Sequence, residues 1–216
     1  MTVAIVDYGS GNLHSAAKAF ERAAREEGLA QPIVVTSDPE EVARADRVVL
    51  PGVGAFADCR HGLDAVPGMV EALEDTVRGK GRPFLGICVG YQALFERSDE
   101  FNSCAAGLSL FAGKVVRFPS KPGLKVPQIG WNQLQIGRPD CPLFRGVVDG
   151  NYVYFVHSFY PQPTDESIVA TRTTYGETFA SSIWRDNVYA TQFHPEKSQS
   201  VGLQLLHNFV ELAGKG

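Results

Sequence analysis

The sequence predicts an α/β fold, an open, mostly parallel twisted sheet with helices on both faces plus an antiparallel β extension. Two observations carry this. Through the first half, short apolar runs alternate with helix-period patterns, as parallel strands joined by covering helices require. In the second half, Pro119, Pro122, Pro127, Pro139 and Pro142 punctuate β-rich runs of a more antiparallel texture.

Taken in order, Val3 to Val6 is the first strand. From Leu13, the apolar positions Ala16, Ala17, Phe20 and Ala24 follow helical spacing, and Gly28 is a stop signal. Ile33 to Val35 is a second strand. Asp38, with Pro39 next and Glu41 three residues on, resembles a capping box opening a short helix. Arg47 to Leu50 is a strand ending at Pro51. Ala55 to Arg78 is helical with a break near Pro67 and Gly68, and Phe84 to Ile87 is a strand entering a turn at Cys88. Tyr152 to Val156, Ser167 to Thr171, Phe179 to Trp184 and Val188 to Gln192 follow as strands, and Val201 to Leu212 closes as a helix. The proline-rich stretch from Pro119 to Pro142 is the one candidate linker. The β pattern beyond it lacks a core of its own, so residues 1–216 are expected to form one domain.

Composition narrows the function classes. With 216 residues, 44% hydrophobic and 20% charged, the chain can build one substantial core. A formal net charge of -4 and the absence of any Lys/Arg run argue against a nucleic-acid or anionic-membrane surface. No apolar stretch approaches the ~20 residues of a membrane helix. Met1 to Val6 enters a strand with no basic leader, and the four cysteines Cys59, Cys88, Cys104 and Cys141 form no CxxC pair, so a soluble cytoplasmic protein is expected. His14, His61 and His207 stand on helical patterns without clustered ligands, so neither a metal nor another cofactor is expected.

The chemistry centres on Gly86-Ile87-Cys88-Val89-Gly90, a G-x-C-x-G between an apolar strand and a helix-compatible segment. A nucleophile on so sharp a turn needs small neighbours, and a helix start favours the thiolate. On these residues alone a structural cysteine beside a tight turn remains open. Gln192-Phe193-His194-Pro195-Glu196 supplies what a cysteine nucleophile needs, a base in His194 and an orienting carboxylate in Glu196. Leu50-Pro51-Gly52-Val53-Gly54-Ala55-Phe56 follows a strand, and its backbone N–H groups suit an oxyanion, with Val89 N–H as second donor. Gly52, Gly54 and Ala57 also match a dinucleotide fingerprint. The acidic residues Glu74 and Asp75 lie inside a helical pattern, however, where the fingerprint wants one at a strand end.

These motifs resemble the class I (triad) glutamine amidotransferases. Asp7-Tyr8-Gly9-Ser10-Gly11-Asn12-Leu13, Leu50 to Gly54, Gly130-Trp131-Asn132, Tyr154-Phe155-Val156-His157-Ser158 and His194-Pro195-Glu196-Lys197-Ser198 are similar to the glutaminase subunits of imidazole glycerol phosphate synthases, across nearly the whole chain. The resemblance implies a flavodoxin-like domain that hydrolyses glutamine. Cys88 would form a glutamyl thioester, His194 would act as base and acid, and Glu196 would hold the imidazole. Gly52, Val53 and Gly54 would form an oxyanion loop that a partner rearranges, and Gln92 would contact the glutamyl part. Glu96, two helical turns after Cys88, would either reach the substrate's amino group or lie on a solvated face. The implied partner is a (β/α)₈ cyclase subunit receiving ammonia, with Asn12, Trp131 and Lys197 facing it. Gln128 and Phe159 depart from the family's usual His and Tyr. His157 is expected to be structural, as are Cys59, Cys104 and Cys141, and Trp184 is expected in the core. The competing readings are a glutaminase for anthranilate, aminodeoxychorismate or guanylate synthesis, a stand-alone cysteine hydrolase, and a non-enzymatic binding module.

Overall fold

A computed structural model describes residues 1–100 and 105–213; Cys104 lies outside them. The chain runs β1 (Val3–Val6), α1 (Leu13–Glu26), β2 (Ile33–Thr36), α2 (Pro39–Arg44), β3 (Arg47–Gly52), α3 (Phe56–Asp64) and α4 (Met69–Glu74), which passes into a π-helical turn at Asp75–Gly79. Then come β4 (Phe84–Cys88), α5 (Val89–Gln92), β5 (Phe95–Ser98), β6 (Phe111–Arg117), β7 (Gln128–Gln133), β8 (Gln135–Ile136), β9 (Tyr152–His157) and β10 (Phe159–Pro163). β11 (Val169–Tyr175), β12 (Glu177–Arg185), β13 (Val188–Thr191) and α6 (Gln199–Glu211) complete it.

The main sheet has the order β2-β1-β3-β4-β13-β12-β11-β8. Its first five strands are parallel and the rest antiparallel. Every residue of β1, β3, β4 and β13 is buried, as expected of parallel strands covered on both faces. β10-β6-β5 form a second sheet, and β7 pairs with β9 as an antiparallel ribbon. At α2 Asp38 is the cap and Pro39 opens the helix as anticipated, with the Asp38 side chain accepting the Glu40 N–H at 2.9 Å. The capping box does not form, because the Asp38 N–H donates to the Thr36 hydroxyl at 2.9 Å and not to Glu41.

Several elements differ from expectation: β6 was not anticipated, and β7 and β8 are strands inside the stretch read as a candidate linker. The helix after Cys88 stops at Gln92 because the carbonyls of Ala93, Leu94 and Glu96 accept N–H groups of Leu108, Leu110 and Gly107 instead of helical partners. Phe95 therefore starts a strand. Ser167 sits in a 3₁₀ turn, its N–H bonded to Asp165, and the strand there starts at Val169. β10 went unread because it carries Pro161 and Pro163, which only an edge strand tolerates. Among the described residues, no helix is long and apolar enough to cross a membrane.

Candidate active site

Parallel strands β3, β4 and β13 lie side by side, with Gly52 in register with Cys88 and Thr191 with Ile87. Their C-terminal ends therefore open at one edge, where open α/β sheets place their sites. This registry brings together three segments that are far apart in the sequence.

Cys88 ends β4 with φ 55° and ψ -108°, a left-handed conformation that a side chain adopts at a cost of about 1–3 kcal/mol. The fold holds it there through close backbone approach. A Cβ on Gly90 would lie 1.9 Å from the Leu50 carbonyl oxygen, and one on Gly86 would lie 2.9 Å from the Gly90 oxygen. α5 is a single turn, so its dipole contributes little to the sulfur. The nearer influences are side chains. Gln192 Nε2 lies 3.7 Å from the sulfur, which lies 4.0 Å from the Val156 carbonyl oxygen.

His194 follows β13 and donates its backbone N–H to the Tyr154 carbonyl at 3.0 Å, tying the motif to β9. Pro195–Lys197 forms a 3₁₀ turn that Ser198 closes, its hydroxyl donating to the His194 carbonyl at 2.7 Å. That turn puts Glu196 Oε1 2.8 Å from His194 Nδ1. Nε2 is buried without another hydrogen-bond partner among the described residues, which leaves it for the thiol. Burial opposes protonation of this imidazole, but the Cys88 sulfur and the Glu196 carboxylate outweigh it and raise the His194 pKa to about 10. Chemically, this is a thiol beside a base whose other nitrogen is held by a carboxylate, an arrangement suited to attack on an acyl carbon.

The triad opens on a cleft of about 380 Å³ lined by residues including Val53, Gly54, Gln92, Glu100, His157 and Lys197. The Val53 carbonyl accepts the Ser10 hydroxyl at 3.1 Å, joining the Gly-rich loop to the segment after β1. Comparison with known proteins now decides the family: the model for "Glutamine amidotransferase class-I" matches residues 4–212. The chain belongs to the class-I glutamine amidotransferases. Within them it is 54% identical to the imidazole glycerol phosphate synthase subunit HisH of Brucella suis biovar 1 (strain 1330), over 98% of this chain and 99% of that one. It is 53% identical to the HisH subunit of Rhodopseudomonas palustris, with the same coverage. The glutaminase domain of Trypanosoma brucei CTPS with bound acivicin shares the fold at a TM-score of 0.72 and 15% identity, covering 97% of this chain and 92% of that one.

Of the residues expected at the site of this amidotransferase, Cys88, His194, Val53, Gly54, Val89, Gln92 and Lys197 line the cleft, Glu196 stands behind His194, and Gly52 ends β3 in register with Cys88. Glu96 does not join them. Because the chain leaves the helix at Gln92, Glu96 lies at an exposed position of β5 and accepts the Gly113 N–H at 3.0 Å. The carboxylate in the cleft is Glu100, which the sequence reading missed. It is buried and accepts the Phe56 N–H at 2.7 Å, and burial holds its carboxyl above the usual range. No local pattern marks it, since its partner opens a helix 44 residues earlier. His157 is buried and hydrogen-bonded, Nδ1 to the Phe159 carbonyl at 2.7 Å and Nε2 to Gln128 at 3.0 Å. Cys59 and Cys141 are buried free thiols. Trp131 is exposed and edge-on to Tyr154, over which Lys197 extends. Asn12 precedes α1 without a side-chain capping bond. Trp184 is half-buried, not core: its ring lies under the Arg138 guanidinium.

Proposed function

We propose that this chain is the glutaminase subunit of an imidazole glycerol phosphate synthase in histidine biosynthesis, acting as a single cytoplasmic domain bound to a (β/α)₈ cyclase. The observation that carries the mechanism is the convergence of Cys88, His194 and Glu196 at the ends of β4 and β13. His194 takes the thiol proton, the sulfur attacks the glutamine side-chain carbonyl, and His194 returns the proton to the departing ammonia. Water then cleaves the glutamyl thioester. Backbone N–H groups of the Gly52–Gly54 loop and of Val89, the first residue of α5 and so without a helical partner, stabilise the oxyanion. Glu100 receives the substrate's ammonium group, and Gln92 its glutamyl part.

The partner reading rests on the surface beside the cleft. Ile129, Trp131 and Tyr152 are exposed on the β7–β9 ribbon, and Lys197 bridges from that apolar patch to the cleft. Ammonia leaving there would enter the cyclase. The test is ammonia release from glutamine with and without the cyclase subunit and its ligand. Stimulation by the partner is the expected result. Strong release by the isolated chain, unchanged by the partner, would instead identify a stand-alone hydrolase.

A further inference from the structure

Gln192 is a fully buried polar side chain to which the triad mechanism gives no task. Its backbone N–H donates to the Ser181 carbonyl at 2.8 Å, fixing it at the end of β13. Its side-chain Nε2 lies 3.7 Å from the Cys88 sulfur. Its Oε1 lies 3.2 Å from Gln92 Nε2, which also donates to the Phe159 carbonyl at 3.0 Å.

An amide's two ends look alike in shape, so the hydrogen-bond network has to settle which end meets the sulfur. Here it does. The Phe159 oxygen can only accept, so the Gln92 group facing it is the NH₂. That NH₂ also faces Gln192, which must turn its carbonyl oxygen toward Gln92 and therefore its N–H groups toward Cys88.

We propose that Gln192 is a second functional side chain on the Cys88 sulfur beside His194, its amide N–H held there to stabilise the thiolate, with Gln92 as the positioning residue that fixes the amide's orientation. This rests on Cys88 being the nucleophile. The Val156 carbonyl suits the neutral thiol and the Gln192 N–H suits the thiolate, and bonds to the ionised form are the stronger kind. The other titratable groups facing the sulfur are His194 beyond β13, Tyr8 after β1 and Cys59 on α3. Burial raises Tyr8 far above its ordinary value and pushes Cys59 up to about 11, so both stay neutral at working pH. His194 supplies the charge, and Gln192 adds a neutral donor whose strength does not change with pH.

The experiment measures the rate of Cys88 alkylation by iodoacetamide against pH, on the full chain in complex with its cyclase, by peptide mass spectrometry. Gln192→Met keeps the length and removes the donor; the midpoint of its profile is expected to move upward by roughly one pH unit. Gln192→Glu, which sets a carboxylate against the sulfur, is expected to move it further. A folded Gln192→Met variant whose profile superimposes on that of the unsubstituted chain overturns the proposal. Should Gln192→Met fail to fold, Gln92→Met decides, because it frees the Gln192 amide to turn over: an upward shift supports the proposal and an unchanged profile overturns it. Glutamine turnover by Cys88→Ala separates the underlying reading, since persistence of turnover there would remove Cys88 as nucleophile whichever way the profiles move.

Discussion

His194 and His157 are buried in the walls of the same cleft and are driven in opposite directions. Burial pushes His157 down to about 4, with the charge of His194 adding to the effect and the Phe159 carbonyl opposing it only in part. His194 suffers the same burial yet rises to about 10, because the Cys88 sulfur and the Glu196 carboxylate favour its charged form. Desolvation alone therefore does not decide the state of a cleft histidine; the formal charge of its partners does. One wall is built from groups that ionise, the other from amides, a carbonyl and a neutral imidazole.

Removing the charged wall's centre is the most severe way to break the contrast. Cys88→Ala is expected to lower glutamine turnover by on the order of 10⁴-fold or more, as loss of a nucleophile does elsewhere. Synthesis by the complex from added ammonia should continue, and its loss would show the substitution to be structural. Glu196→Gln comes next, with turnover falling roughly 10³-fold through loss of imidazole orientation and charge. The His194 imidazole resonance, followed by NMR, should then titrate well below 10. The sign for stability follows from the raised value: the paired imidazolium stabilises the fold fully below the ordinary value of 6.5, and that contribution is lost as pH rises through about 10. Glu196→Gln should flatten this alkaline loss in denaturant titrations. An unchanged alkaline limb would place the charge elsewhere.

The neutral wall predicts the opposite pH limb. His157 falls from 6.5 to about 4, so the folded state resists protonation that the unfolded chain accepts. Stability is complete above pH 6.5 and declines as pH falls toward 4, by roughly 3 kcal/mol for a shift of this size. Urea unfolding of the native chain and of His157→Gln at pH 7 and pH 4.5 isolates the effect, since other groups titrate in both. The two should converge in acid. A constant difference across pH would mean that His157 only fills space.

Much of this was legible in the sequence because the signals are local. Cys88 between two glycines, His194 and Glu196 flanking a proline, and the strand and helix periods of the first half each depend on near neighbours. What escaped depends on distant ones. The helix after Cys88 ends early because the N–H groups of Gly107, Leu108 and Leu110 take its carbonyls. The role of Gln192 needs Gln92 and Phe159 together, from α5 and β10. Helical spacing extended through Phe95 singled out Glu96, and tertiary pairing moved the carboxylate of the cleft to Glu100.

Those two glutamates extend the contrast of the histidines to carboxylates, with smaller expected effects. Each accepts one backbone N–H, Glu96 from Gly113 and Glu100 from Phe56, so hydrogen bonding does not distinguish them. Location does: Glu96 is solvated, while Glu100 is buried with its carboxyl raised by that burial and placed in the cleft. Glu100→Gln keeps an acceptor for the Phe56 N–H and removes only the charge. If Glu100 meets the substrate's ammonium group, KM for glutamine should rise about tenfold with kcat changing less, the loss of one charge-assisted hydrogen bond. Glu96→Gln should leave both parameters within about twofold, as surface substitutions do. The reverse pattern, with Glu96 controlling KM, would mean that β5 turns toward the cleft during turnover and that its pairing with β6 is not fixed.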